Sequence, residues 1–418
     1  MTGGTVWLRK GRAMRRSAMA AAAMLIGAAS VMPARAEQSF SDWLEGFRAE
    51  AAAAGVRQDV IDLAFAGVKP NPRVLELNED QPEFARAIWD YIDGALSVRR
   101  ITDGRARLAE NRSLLASVEQ AYGVDAEIIV AIWGLESSFG ALMGDYDAIA
   151  SLATLGWQGR RTGYGRTQLI GALKILQNGY AERGQLRGSW AGALGQTQFI
   201  PTTYLAYAVD HDGDGKRDLW GDLDDIFAST ANYLAASNYA ADLPWGVEVV
   251  LPQGFDHALA EVDQHRALAE WAASGIEAAR GKLIGVYDPN LRARVLLPAG
   301  ARGPAFLVFQ NFEATLKYNN STAYALAVGL LSERIAGSDA LLTAPWPRDD
   351  RALTLTERKA VQQALKDKGF DPGPIDGIVG AATKRALRAW QRSQNLPADG
   401  YASAETLHLL TAAARATN

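Results

Sequence analysis

The chain contains no cysteine. Disulfides, thiolate zinc sites, cysteine nucleophiles and a lipid anchor on an N-terminal cysteine are thereby excluded. Histidine is scarce, with four scattered through 418 residues, which argues against a zinc site. An excess of positive charge is also missing. The net charge of −4 provides no global basic field for nucleic acid or an anionic membrane, so no nucleic-acid partner is expected. Beyond the first residues no run is long and apolar enough to span a bilayer. The remaining composition, 48% apolar and 22% charged, is that of an ordinary globular chain long enough for two or three domains.

The N-terminus carries Arg9, Lys10, Arg12, Arg15 and Arg16, then the short apolar stretch AMAAAAMLIGAASVM, then Ala34-Arg35-Ala36. This order reads as a secretory signal peptide over 1–36, cleaved after Ala36. The alternative is an uncleaved anchor, which the short, small-residue-rich run does not favour. Arg15-Arg16 hints at a twin-arginine route, although its flanks fit that poorly. The mature chain is expected to be exported and free of a membrane span.

Residues 40–68 have helical apolar spacing, broken by Pro70 and Pro72. Helical patterns continue over 83–122, restart after Asp125 as an N-cap, and recur near 167–182, 201–209, 225–237 and 321–336. Between 245 and 310, Val247, Val249, Val250, the run from Ala293 and the run from Phe306 read as short strands. The fold class is therefore mainly α with a small β subdomain. Residues 37–342 form the expected main domain, 343–352 a polar, proline-containing linker, and 353–415 a small appended unit. That unit has two similar halves, each a helix followed by an Asp-Gly turn.

One carboxylate stands out in AIWGLESSFG (131–140). Glu136 lies three residues after Trp133, four after Ile132 and seven after Ile129, on the face of an apolar stripe. Lost solvation there would raise its pKa, and a carboxyl titrating near neutrality can donate a proton. The bland alternative is a helix-end acid facing water, badly placed against the helix dipole. A second stretch, SWAGALGQTQFIPTTY (189–204), combines close-approach glycines with Ser189, Gln196 and Gln198, groups able to hydrogen-bond a sugar. Its alternative is a glycine-rich loop before a helix.

Glu136-Ser-Ser-Phe-Gly, Gly192-Ala-Leu-Gly-Gln-Thr-Gln-Phe-Ile-Pro, Asn232-Tyr233-Leu and Tyr318-Asn319 with Tyr324-Ala-Leu-Ala together resemble the soluble-lytic-transglycosylase superfamily of the lytic murein transglycosylase B type. The likeness covers nearly all of 37–340. It implies a lysozyme-like α+β catalytic domain acting on peptidoglycan glycan strands in the periplasm. It implies Glu136 as the single catalytic acid/base and Ser189 as a contact to the acetamido group of N-acetylmuramic acid. Gln198, Tyr233, Tyr318 and Tyr324 would line the cleft, with Arg160 and Arg161 near the peptide-bearing side. Residues from Leu365 to Thr406 resemble the three-helix peptidoglycan-binding domain. Other cell-wall enzymes are conceivable partners, and no organic cofactor is expected. Two carboxylates are the usual requirement for glycoside cleavage, and the motif has one. The resemblance implies that the substrate's acetamido oxygen supplies the missing group, giving a 1,6-anhydromuramoyl end without water. Competing readings are a hydrolytic muramidase and a non-catalytic wall-binding scaffold.

Asp210, Asp212, Asp214, Gly215 and Lys216 match positions 1, 3, 5, 6 and 7 of an EF-hand loop, with Lys216 offering its carbonyl. Position 12 is Gly221 rather than Glu. The family's loop is longer and borrows a later aspartate, here Asp225 or Asp224. A structural Ca2+ is expected; the alternatives are a solvated acidic turn or, with no partner hand, a calcium sensor.

Overall fold

The computed structural model describes residues 39–79, 86–260 and 264–412. The expected signal peptide, the first residues of the 83–122 helical pattern and residues 413–415 of the appended unit lie outside them. The described residues are mainly helical with one small curled sheet.

The apolar run 40–68 forms two helices, α1 (Phe40–Ala53) and α2 (Gln58–Phe65), because Gly55 turns between them at φ 86°. Pro72 opens α3 (Pro72–Glu79) rather than ending a helix, as proline can at a first helical position. The next pattern divides into α4 (Ile88–Ala95), α5 (Val98–Glu110) and α6 (Arg112–Tyr122). Ser97 caps α5 by accepting the Arg100 amide. Asp125 stands at the N-cap of α7 (Ala126–Ser137), but its carboxylate accepts the Tyr239 hydroxyl at 2.7 Å instead of a helix amide.

A short pair, β1 (Tyr146–Asp147) and β2 (Arg187–Gly188), brackets α8 (Ala148–Trp157) and α9 (Thr162–Gln177). Helix α8 is buried almost all round, so it carries no amphipathic stripe to read. It meets α9 through two glycines: a Cβ on Gly165 would lie 2.3 Å from the Gly156 nitrogen. Those glycines obscure the start of α9, which begins five residues before the expected 167. Helices α10 (Pro201–Tyr207) and α11 (Leu223–Ala236) complete this helical core.

The sheet contains β3 (Gly246–Val250), β4 (Arg266–Ala267), β5 (Glu277–Ala278), β6 (Arg292–Leu296) and β7 (Ala305–Val308), in the antiparallel order β4-β6-β7-β3-β5. A short helix, α12 (Leu268–Ala273), follows β4. Strand β7 is buried on both faces. Phe306 and Val308 face Trp245 and Phe312, while Ala305 and Leu307 face Trp271 and Ile276. Helices α13 (Gln310–Tyr318) and α14 (Thr322–Ile335) lead the chain back to α7.

The appended unit is α15 (Leu355–Asp367), α16 (Ala381–Ser393) and α17 (Ala404–Ala412). Its internal likeness has a physical basis. Buried Gln362 accepts the Gly377 amide and donates to Asp376, and buried Gln391 repeats this with Gly400 and Asp399. Each Asp-Gly turn is thus clamped by a glutamine from a helix. The segment expected as a linker is held along its length. Glu248 accepts the Thr343 and Ala344 amides, Trp346 packs on Trp89, and Arg348 makes two bonds to Asp93. Asp399 accepts the Ala301 amide at 2.8 Å, and a Cβ on Gly300 would lie 2.6 Å from Asp399. The appended unit therefore docks on the sheet subdomain.

Gly329 on α14 faces the Trp245 ring, where an added Cβ would lie 2.4 Å away, and Glu333 one turn later holds the indole N–H at 2.9 Å. Gly329→Ala is expected to lower stability by about 1–3 kcal/mol through overpacking, exceeding the roughly 1 kcal/mol that alanine gains over glycine in a helix. Chemical denaturation should show a lower midpoint at unchanged slope; an equal or higher midpoint would mean that the ring moves aside.

Candidate active site

Helix α7 is buried over most of its length, and Glu136 occupies its last turn, half-buried. The turn that follows is unusual. Ser138 and Phe139 both adopt positive φ, 51° and 60°, a region costly for residues with a Cβ. Ser137 stabilises it by accepting the Gly140 amide at 2.9 Å. The turn sends the Phe139 ring back over Gly134, where an added Cβ would be 2.7 Å from the ring, and edge-on to Trp133. The carboxyl is thus presented at a helix end whose surroundings are aromatic.

The 189–200 loop is fastened to this helix. Trp133 donates its indole N–H to Gln196 at 2.7 Å, and the Gln196 amide donates to the Trp220 carbonyl. Gly140 permits this approach: a Cβ there would lie 2.3 Å from the Gln196 oxygen. Gln198, at φ 53°, donates to the Met143 and Gly195 carbonyls at 2.9 Å. Tyr318 donates to the Thr197 carbonyl at 2.7 Å. Ser189 accepts the Ala193 amide at 3.0 Å, which leaves its own proton free to donate.

Tyrosines form the other wall. Tyr318 and Tyr324 stack at 6.4 Å, and Tyr318 continues to Tyr233, which stacks on Tyr207 at 4.4 Å. Tyr233 donates to the Lys317 carbonyl. Burial, then the nearby Glu136 charge, raises the phenol pKa of both Tyr318 and Tyr324. The buried Tyr324 hydroxyl makes no well-formed hydrogen bond here, yet its dipole favours the charged form of Glu136.

Desolvation dominates the carboxyl. Burial pushes Glu136 up to about 7, and the Tyr324 hydroxyl offsets part of that rise. Among the described residues no cation forms an ion pair with it, and no second carboxylate contributes to its pKa. The arrangement is a lone proton donor that can also serve as a base.

Glu136, Tyr318, Tyr324 and the Gln196–Gln198 loop are brought together. Tyr233 joins them through Tyr318. Arg160 turns away, donating to the Asn78 carbonyl at 2.6 Å. Arg161 lies over the Tyr164 ring, whose hydroxyl donates to the Ala191 carbonyl beside Ser189. Sequence reasoning missed Tyr91 on α4, whose phenol is pushed up to about 12 by burial and then by Glu136. Nothing local in the sequence marks it, since it lies 45 positions earlier on another helix.

Outside the cleft, Asp210, Asp212 and Asp214 are exposed, with ligand-capable oxygens all within 4.8 Å of one another. Asp225 is buried beneath them and accepts the His211 and Asp218 amides at 2.7 and 2.6 Å. Burial pushes its carboxyl up to about 6. Asp224 takes no comparable place in the loop; its amide is bonded by the capping Asp222.

Comparison with known proteins places this geometry in context. The pattern of the transglycosylase SLT domain family matches residues 39–333, and that of a peptidoglycan binding domain matches 354–410. SltB3 from Pseudomonas aeruginosa, solved in complex with NAG-anhNAM-pentapeptide, is 50% identical, with a TM-score of 0.86 over 90% of this chain and 100% of that one. Slt35 of Escherichia coli, solved in complex with calcium, is 28% identical, with a TM-score of 0.61 over 70% of this chain and 92% of that one. The membrane-bound lytic murein transglycosylase B of Escherichia coli K12 is 34% identical over 223 residues, 52% of this chain; the match spans 58% of that relative's length.

Because its folded pKa is raised, Glu136 contributes stability that is fully present below about 4.5 and lost as pH rises through about 7. Glu136→Gln stays neutral throughout. Its Tm should match the wild type near pH ~4 and exceed it near pH ~8. Parallel Tm-against-pH curves for the two proteins would contradict the raised pKa.

Proposed function

Because the chain belongs to the transglycosylase SLT family and carries a peptidoglycan-binding domain behind it, we propose that it is a lytic transglycosylase. It cleaves the β-1,4 bond between N-acetylmuramic acid and N-acetylglucosamine without consuming water. The observation that carries this reading is Glu136: one carboxyl, desolvated to a pKa of about 7, with no second acid among the described residues acting on it. Among the described residues a two-carboxylate mechanism has no partner group there. The SltB3 complex supports the reading, since the molecule bound to that relative contains an anhydro sugar.

In the proposed cycle the protonated Glu136 donates to the glycosidic oxygen as the bond from the anomeric carbon breaks. The acetamido carbonyl oxygen of the same muramoyl sugar forms a bond to that carbon, its tethering standing in for a second protein group. Glu136, now a carboxylate, takes the proton from the O6 hydroxyl. O6 then bonds to the anomeric carbon, the acetamido oxygen leaves, and a 1,6-anhydro ring remains. Glu136 ends protonated, so the cycle balances without water. Ser189 orients the acetamido group, and Tyr318, Tyr324, Tyr233 and Gln198 shape the sugar subsites. Arg161, with Tyr164, borders the Ser189 side. The polymer lies outside the cytoplasmic membrane, so this reading includes export to the periplasm. No helix among the described residues is long and apolar enough to cross a membrane.

The reading extends to a structural calcium ion. Asp210, Asp212 and Asp214 form a hard, all-oxygen donor set of the right chemistry, and crowded exposed carboxylates repel one another without a cation. The Lys216 carbonyl would add a ligand, and buried Asp225 fixes the loop from below. The calcium complex of Slt35 supports this. The ion would brace the connection from α10 to α11.

Glu136→Gln should bind purified sacculi and release no soluble fragments, a loss of at least about 10³-fold in turnover. Mass spectrometry of wild-type products should find muramoyl ends one water lighter than hydrolytic ends; full-mass reducing ends would make the enzyme a muramidase. For the metal loop, chelation should lower Tm by roughly 3–8 °C, with recovery on adding Ca2+. Asp210→Ala/Asp214→Ala should abolish that response; an unchanged response would place the ion elsewhere.

A further inference from the structure

Helix α5 braces the turn that follows Glu136. Arg100 and Gly104, four residues apart, lie on one face of it. A Cβ on Gly104 would come within 3.5 Å of the Phe139 ring and 2.7 Å of Ile335 on α14. Arg100 reaches further. Its Nε donates to the Gly134 carbonyl on α7 at 3.2 Å, and its Nη1 donates to the Gly94 and Ala95 carbonyls at the end of α4, at 2.6 and 3.0 Å. One half-buried guanidinium thus joins the C-terminal ends of two helices. Both carry groups of the site. Tyr91 lies one turn before Gly94 and Ala95, and Glu136 lies two residues after Gly134. Burial, then the Glu136 charge, raises the Tyr91 phenol, and Arg100 offsets part of that rise.

Gly134 needs an outside donor for a physical reason. In an ordinary helix its carbonyl would accept the Ser138 amide. The positive-φ turn sends that amide, and the Phe139 amide, to the Trp133 carbonyl instead. The Gly134 carbonyl is left without its helical donor in the segment that presents the carboxyl. Arg100 supplies the missing hydrogen bond.

The position of Arg100 runs against its own helix. It stands in the first turn of α5, where the helix dipole disfavours a cation and no acidic residue compensates. The same charge is favourable at the C-terminal ends of α4 and α7. Its neighbour Arg99 pairs with Asp103, whereas the Arg100 side chain, among the described residues, reaches three carbonyls and no carboxylate. An arginine bonded to Glu136 would hold that carboxyl ionised. This one is committed to backbone oxygens and leaves the acid its proton. The fork matters as well as the charge, since an ammonium is a point donor that cannot span two helix ends in fixed geometry.

We propose that Arg100 is a positioning residue for the cleavage reaction: its guanidinium fixes the end of α4 against the turn after Glu136, and so holds the carboxyl and the Tyr91 ring at a set separation. It acts through the backbone and touches no reacting atom. Its kinetic consequence rests on the transglycosylase reading of the cleft.

The test compares the full chain with Arg100→Met, which keeps the apolar stem, and Arg100→Lys, which keeps the charge. Cleavage of soluble peptidoglycan strands gives kcat and KM, and carbon-13 NMR gives the titration midpoint of the Glu136 carboxyl. The other titratable groups that sense Glu136 among the described residues are Tyr91, Tyr318 and Tyr324, phenols whose raised pKa values keep them neutral throughout. Both variants should lower kcat about tenfold and change KM by less than about twofold. Both should move the midpoint down from about 7 toward 4.5, because a loosened turn admits water. A charge acting through space would do the reverse, raising the midpoint in Arg100→Met and leaving Arg100→Lys like the wild type. A raised or unchanged midpoint, full recovery of kcat in Arg100→Lys, or a loss confined to KM would overturn the proposal. Should Arg100→Met fail to fold, Arg100→Lys decides alone by the same two readouts. A wild type that cleaves no strand would remove the transglycosylase reading, and the midpoints would still decide whether Arg100 holds the turn.

Discussion

The withdrawal of one carboxyl group from water is the constraint on which this molecule is built. Glu136 is perturbed chiefly by desolvation rather than by a neighbouring charge. That choice decides its chemistry. A carboxylate beside arginine would stay ionised and could not donate, whereas one among aromatic rings holds its proton near neutrality and can still give it up. Maintaining this environment requires strained backbone at Ser138 and Phe139, close approach at Gly134 and Gly140, and the Trp133–Gln196 bond that fastens the glycine-rich loop to the helix. The strained turn and the two glycines lie within a few residues of the group that benefits, as stored strain at functional sites does.

A second theme is rigidity between domains. Thr343 and Ala344 are held by Glu248, Arg348 by Asp93, and Gly300 leaves room for Asp399 and Tyr401 at the domain contact. A freely tethered binding module would raise local substrate concentration and nothing more. A docked one also holds one orientation against the sheet subdomain, through Asp399 and the Ala301 amide.

Much of this was legible in the sequence, although not always for the reason the pattern offered. The apolar spacing of Ile129, Ile132 and Trp133 pointed to Glu136, but α7 is buried nearly all round, so no single stripe distinguishes it. Glu136 is half-buried in the last turn of that helix, while Ser137 beside it is buried. The three longer strands were visible as β-branched and aromatic runs, and the repeated Asp-Gly turns announced the appended unit. Three features were hidden. Helix α8 lacks a polar face, so it has no helical period to detect. Tyr91 reaches the site through tertiary packing from a distant helix. The strapping of 343–352 depends on partners some 95 and 255 positions away, at Glu248 and Asp93, which no local pattern encodes.

The central claim is that desolvation sets the protonation of one side chain, and it can be measured on that side chain directly. A site-resolved carbon-13 NMR titration of the Glu136 carboxyl, identified by its absence from the Glu136→Gln spectrum, should give a midpoint near 7. A midpoint near the ordinary 4.5 would show a carboxyl in contact with water, and the single-acid account of this site would fall with it.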